Sequence, residues 1–397
     1  MKHARFAGTV MLVSAALAVA VAVPPTTPAR AASSLAGCTR VVSTSGELVA
    51  AVDTSPAGAA VCIRSGSYTV GAPMRPSSRV TVRGVDPAQR PVITCKAQFC
   101  LDGYNWSVGV RVQDLILQGA WQDDLRTGDA WYVQDVTARN AGIAGFRFKG
   151  SNAVITDSGA YWNGEFGVYG VDAVNSQLIH STVGRNPTNP TFGPGYSGGV
   201  KFVTSRGVLL QGNVIRNNWG GAGLWLDIDT NHFTITGNTL TNNANDAMRI
   251  EISCYGVIQD NSVVGSGGSQ IDLFNAHDVQ VVTNSVLIPR NGSYGIRMLG
   301  NGRRASLSDQ CGVNGQFPNS NNTARSNHII SHNPVATNGV FHTAGSTTND
   351  TWVGNVYVVP ACSGPQWRWW SGSNLKVNFR NWRLQYGQDQ SGSCSTL

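Results

Sequence analysis

Acidic side chains are scarce in this chain, 22 of 397 residues, yet Asp227, Asp229, Glu251 and Asp272 fall close together and are interleaved with Lys201, Trp225, Arg249 and Arg297. These residues sit in apolar-alternating segments, GGVKFV, GLWLDI, AMRIEI, QIDLF and YGIRML. In a strand successive side chains point to opposite faces. That alternation sends Leu224, Leu226 and Ile228 inward and Trp225, Asp227 and Asp229 outward. One segment later, Met248, Ile250 and Ile252 form the inner set, with Arg249 and Glu251 outside. Lys201 precedes Trp225 in the same column, and Asp272 and Arg297 follow it. The expectation is that Asp227 and Glu251 are adjacent carboxylates on one exposed face, on strands ~4.8 Å apart. Trp225 would offer them a flat apolar platform for a sugar ring. Alternating charges can also merely keep a sheet soluble, at less than ~1 kcal/mol per pair. Like charges directly opposed on a sheet are destabilising, however, so a stacked Asp and Glu call for a reason.

Two chemistries compete for such a face. In glycoside hydrolysis one carboxylic acid protonates the leaving oxygen while a second carboxylate attacks or activates water. Asp227 and Glu251, with Asp229 beside them, are the catalytic candidates, and mutual repulsion would raise one pKa and separate their roles. In a lyase, Asp227, Asp229 and Glu251 would instead hold calcium through oxygen ligands. Lys201, Arg249 or Arg297 would then remove the proton alpha to a uronate carboxyl. The cations favour the lyase; the small number of carboxylates for a calcium cage favours the hydrolase. The balance falls to hydrolysis, with Trp225, Lys201, Arg249, Asp272 and Arg297 as substrate-binding residues, no obligatory cofactor, and calcium as the possible exception.

The elements that must position these residues announce themselves through asparagine. Asn213, Asn238, Asn261 and Asn284 recur at intervals of 25, 23 and 23, each in the pattern apolar-x-x-Asn-x-apolar. Periods of this length with strand-type alternation mark a coiled repeat, here an all-β parallel β-helix with one buried amide per turn. Stacked side-chain amides can bond to those above and below, so the row reads as structural. The register runs back to Ser181 and Ser158 and forward to Asn327 and Asn355. The interval of 32 between Ser181 and Asn213 must hold an insertion, supplied by NPTNPTFGPGYSG, and a second insertion surrounds SLSDQCGVNGQFPNSNNTARS. Repeat arrays lengthen without thickening their core, so one elongated domain over residues 32–397 is expected.

Residues 1–31 read as a signal peptide: a basic start, an alanine- and valine-rich run, and the small-x-small site Ala29, Arg30, Ala31. Its removal deletes Lys2, Arg5 and Arg30 and no acid, lowering the net charge from +7 to +4. A secreted chain with eight cysteines and no Cys-x-x-Cys points to disulfides. Connectivity is open in principle; local order suggests Cys38 with Cys62, Cys95 with Cys100, Cys254 with Cys311, and Cys362 with Cys394.

Solenoid ends expose strand edges and need caps. STSGELVAAVDTSP has the apolar spacing and proline stop of a short helix, giving an N-terminal cap over about residues 38–70. Together with the following VCIRSGSYTV, it resembles the cap and first coil of secreted polysaccharide lyases and hydrolases of the right-handed parallel β-helix, pectate-lyase-like superfamily. FRNWRLQYGQDQSGS, through Phe379, Trp382, Gly387 and Asp389, resembles a closing segment of secreted bacterial β-helix proteins and gives a C-terminal cap over about residues 362–397. The resemblance covers most of residues 38–397 and implies a right-handed coil acting on a polysaccharide without naming a reaction. The Gly-His-Gly of polygalacturonases and the Asp-Pro-His-Glu of alginate epimerases are absent.

Lesser candidates are Asp123, Asp124 and Asp129, read as turn residues in AWQDDLRTGDAW, and Glu165 and His180, which could line the groove upstream. Trp367, Trp369, Trp370 and Trp382 read as cap residues. Adhesion or ice binding would want long rows of one residue type, which the changing outward column lacks. No phosphate loop, zinc signature or nucleic-acid module is evident. The sequence thus reads as a secreted, monomeric polysaccharide-degrading enzyme, with no membrane attachment once the leader is removed.

Overall fold

Brief apolar-alternating runs, many of them ended by Gly, Asn or Asp, favour short strands separated by corners. The computed structural model, which describes residues 35–104, 107–191, 193, 195–337, 347–370 and 374–397, winds these strands into a right-handed parallel β-helix. The proposed leader lies outside the described residues. Each rung contributes a strand to one nine-stranded parallel sheet, running from Phe99–Asp102 to Tyr294–Leu299. Paired short strands such as Leu209–Gln211 and Val214–Arg216 build the remaining walls. Leu224 and Leu226, Met248 and Ile250, and Ile271 and Leu273 stack rung on rung inside the coil, all fully buried.

The inner set stops earlier than the sequence pattern implies. The strands end at Asp227 and Glu251, and the chain turns a corner at Ile228 and Ile252, both with positive φ (38° and 41°). Ile228 is consequently exposed. Ile252 packs in a separate apolar cluster with Cys254, Cys311 and Phe317.

The asparagine row is a buried hydrogen-bonded ladder. Asn238 Oδ1 accepts from both the backbone N and the Nδ2 of Asn213, at 2.9 Å each, and Asn238 Nδ2 donates to Leu210 O and to Asn261 Oδ1. The same pattern continues through Asn284, Asn327 and Asn355, and Ser181 and Ser158 occupy the earlier rungs. A second ladder, Asn163, Asn186, Asn218 and Asn243, stands at the corner entering the nine-stranded sheet. It lies five residues after the first ladder on each of these rungs, a spacing that the sequence itself carries. Each buried amide left unpaired would cost about 1–3 kcal/mol, so the ladders hold the rungs in register.

A helix, α1 (Ser45–Asp53), buries Leu48, Ala51 and Val52 at the N-terminal end. At the other end a helix, α2 (Phe379–Leu384), inserts Phe379 and Trp382 into the core beside Trp367. Asp389 then takes the last ladder position, accepting from Asn355 Nδ2 (2.8 Å), Tyr357 Oη (2.7 Å) and Trp382 Nε1 (3.2 Å). The tryptophans Trp367 and Trp382 therefore close the coil, as the cap reading holds. All four disulfides pair as local order suggests: Cys38–Cys62, Cys95–Cys100, Cys254–Cys311 and Cys362–Cys394.

Candidate functional site

The register of the nine-stranded sheet fixes the outward column. Lys201 lies opposite Trp225, Trp225 opposite Arg249, Arg249 opposite Asp272, and Asp272 opposite Arg297. Upstream the same column continues through Tyr169, Arg147, Arg126 and Asp102. Asp227 and Glu251 follow the paired Leu226 and Ile250 on their strands, so both carboxylates occupy the same position on adjacent rungs.

They are less exposed than a bare sheet face would make them. Asp227 and Glu251 retain 9% and 10% of their side-chain surface. Asp227 is ion-paired with Lys201 Nζ at 2.9 Å, while Glu251 receives Arg303 Nη1 at 2.7 Å and has Arg249 Nη1 at 3.9 Å. Burial and then the neighbouring Asp227 carboxylate push Glu251 above the ordinary glutamate value, against the pull of Arg249, Arg303 and Lys201. The two carboxylates thus stand in different environments: one fixed by an ammonium, the other biased toward its protonated form.

Three expectations are corrected. Trp225 is buried, at 4% exposure, because Lys201 Nζ sits 3.4 Å from the ring centroid and Arg249 covers it at 5.6 Å. It has no free face for a sugar. Asp229 lies beyond the corner and accepts a hydrogen bond from Cys311 N at 2.6 Å, so it anchors the second insertion instead of joining Asp227 and Glu251. Asp272 is fully buried and bridges Arg297 Nε (2.7 Å) and Arg249 Nε (3.4 Å), which makes it a tether for arginines and not a substrate contact.

The displacement of Asp229 also removes one corner of the proposed calcium cage. Among the described residues, the ligand atoms that converge within 4.8 Å are those of Cys254, His277 and Cys311, where both thiols are tied in a disulfide. Asp227, Asp229 and Glu251 are not among these converging groups.

Several residues join the groove that the sequence reading left aside. Asp123 lies in a strand of this sheet, not in a turn, and pairs with Arg147 Nη2 at 3.0 Å. Asp124 on the same strand points inward and is fully buried. Asp129 makes an isolated parallel bridge with Val108 just before the corner at Ala130 and accepts from Ser151 N at 2.7 Å. Glu165 precedes its strand at the groove edge, half-buried, with its pKa raised by burial against the attraction of Arg147 and Lys201. Tyr169 stacks on Phe166 and lies under Arg147. His180 sits at a corner of the other wall, between Gln177–Ile179 and Thr182–Gly184, away from this groove. The alternation in FRF and VYGV carried the signal for Arg147 and Tyr169; in DDLR a strict alternation would have turned Asp123 inward. Nothing in the sequence placed Arg303, which reaches Glu251 from an insertion 52 residues away.

Residues 125–286 match the family described as right handed beta helix region. Among solved structures, the chain is similar to the A-module of Azotobacter vinelandii mannuronan C-5 epimerase AlgE6, at 19% identity and a TM-score of 0.64, covering 78% of this chain and 87% of that one. It is similar to the polysaccharide lyase family 6 protein Pedsa3628 of Pseudopedobacter saltans at 12% identity and a TM-score of 0.61, over 90% and 92%. A complex of XylC with xylose matches at 11% identity and a TM-score of 0.59, over 78% and 80%. At these identities the likeness is one of fold. No curated protein sequence matches the chain.

Proposed function

We propose that this protein is a secreted, monomeric enzyme that hydrolyses a polysaccharide, with Glu251 as general acid and Asp227 as nucleophile or general base. The observation that carries the reading is the asymmetry of the pair: Glu251 is pushed toward its protonated form partly by Asp227, and Asp227 is ion-paired with Lys201 at 2.9 Å. Acid and base work requires just such a separation of roles. Arg303, half exposed on Glu251, is free to give way to a leaving oxygen. The fold is shared with an epimerase, a lyase and a xylose-binding protein, which supports a carbohydrate substrate without choosing a reaction. Four disulfides fit an oxidising, extracellular setting.

The lyase alternative needs an uncharged Lys or Arg as base. Lys201, Arg249 and Arg297 are each engaged with a carboxylate, at 2.9 Å, 3.3 Å and 2.7 Å, and none is set apart to take a proton from substrate, which argues against it. The test is activity on a polysaccharide panel, recording new reducing ends and new double-bond absorbance. Hydrolysis gives reducing ends alone. Asp227→Asn and Glu251→Gln should each lose about 10²-fold or more in kcat, with a bell-shaped pH profile in the parent and no effect of chelator. Double-bond absorbance, or full activity in both amide variants, would overturn the assignment.

A further inference from the structure

Downstream of Asp227 and Glu251, the same face opens into a cavity of about 430 Å³ lined by Asn245, Asp246, Arg249, Ser269, Tyr294 and Arg297, with Gly195 of the first insertion on its rim. Its polar equipment is incompletely used by the protein. Ser269 Oγ is buried and has no hydrogen-bond partner within the described residues. Arg249 is shared at 3.3 Å, 3.4 Å and 3.9 Å among Asp246, Asp272 and Glu251, and makes no short contact with any of them. Arg297 spends Nε and Nη2 on Asp272, which leaves its remaining N–H groups for the cavity. The charges on the wall are two guanidiniums against the single carboxylate of Asp246. Burial, and then the adjacent Asp272, raise the pKa of that carboxyl, which lessens its opposing charge.

We infer that this cavity is a subsite for one sugar unit bearing an anionic group, a carboxylate, sulfate or pyruvate ketal, which the unused N–H groups of Arg249 and Arg297 bind while Ser269 Oγ and Asn245 take up ring hydroxyls. The inference rests on the hydrolase reading and sharpens it to an acidic polysaccharide. A guanidinium fork matches a planar or trigonal anion in a way that a neutral sugar cannot use. The subsite also communicates with the proposed acid. Arg249 lies between Glu251 and the cavity, so an anion that draws Arg249 away weakens the attraction holding Glu251 ionised. Binding an acidic unit there would raise the Glu251 pKa further and keep the general acid charged with its proton.

The test measures binding by calorimetry to the Glu251→Gln protein, which removes turnover. The probes are uronate-, sulfate- and pyruvate-bearing oligosaccharides, each paired with its carboxyl-reduced or desubstituted counterpart. At least one acidic probe should bind about tenfold or more tightly than its neutral partner, with affinity falling as salt rises. Arg249→Gln should remove most of that preference; it leaves Arg297 on the buried Asp272 and so spares the fold. Ser269→Ala, which only deletes an unpartnered hydroxyl, should weaken both members of a pair alike. Equal binding of acidic and neutral probes, or a preference unchanged in Arg249→Gln, would overturn the subsite. Cleavage of neutral glycans alone would sink the subsite and leave the hydrolase; tight acidic binding with no cleavage by the parent would do the reverse.

Discussion

At the scale of single residues, the outward column shows how much a side chain's role depends on its neighbours across the sheet. Trp225 occupies the position that register assigns it, yet an ammonium above and a guanidinium below turn it from a platform into a filling. Its removal should therefore act on stability. Trp225→Ala should cost about 3–5 kcal/mol in urea unfolding, as large-to-small changes at buried aromatics do. It should also loosen Lys201 and so lower kcat, while a selective rise in KM with unchanged unfolding would return Trp225 to the sugar. Asp227 and Glu251 illustrate the converse. Their adjacency follows from a repeat of 24 positions between like residues in AGLWLD and DAMRIE, and the strands honour it.

At the scale of elements, the second insertion is what converts a sheet face into a site. It is fastened to the coil by the Cys254–Cys311 disulfide, by Cys311 N on Asp229 and by the packing of Phe317 against Ile252, and it delivers Arg303 to Glu251. The disulfide closes a long loop, its cysteines lying 57 positions apart. Cys254→Ser with Cys311→Ser should leave the ladder and the far-ultraviolet spectrum intact, because the rungs do not depend on it. Activity should fall and the basic limb of the pH profile should shift upward as Glu251 loses Arg303, since a cation near a carboxylate favours its charged form. An unchanged profile would show that the insertion does not reach the acid in solution.

At the scale of the whole molecule, the C-terminal turns hold two buried aspartates that accept hydrogen bonds from stacked asparagines. Asp350 accepts from Asn322 N (2.9 Å) and Asn319 Nδ2 (2.7 Å), and Asp389 receives the Asn213–Asn355 ladder. Burial pushes the Asp350 pKa up to about 7 from an ordinary 3.8. A carboxyl whose folded pKa is raised contributes its stability below the unfolded pKa and loses it as pH climbs toward the folded one. The C-terminal turns should therefore be most stable near pH 4 and weaken progressively up to about pH 7, by at most about 4 kcal/mol from this group at 1.36 kcal/mol per pKa unit. Thermal unfolding between pH 4 and 8 checks this: the slope should shrink in Asp350→Asn, and an identical slope in the variant would remove Asp350 from the account.

The sequence by itself determined the coil. Asn213, Asn238, Asn261 and Asn284 set the rung length and the alternation from Leu224 to Asp227 and from Met248 to Glu251 sets which side chains face in, because each of these is local or strictly periodic, whereas cysteine order suggested the four disulfides without excluding other pairings. The column from Lys201 to Arg297 was legible for the same reason, since a regular parallel register carries a one-dimensional pattern directly into two dimensions. Only the tertiary structure decided where that regularity stops. The corner at Ile228 sends Asp229 to the insertion, and Lys201 and Arg249 close over Trp225. Arg303 arrives from a segment with no period at all. These outcomes depend on the path of an irregular loop and on the reach of long cationic side chains, and neither is written in the spacing of the repeat.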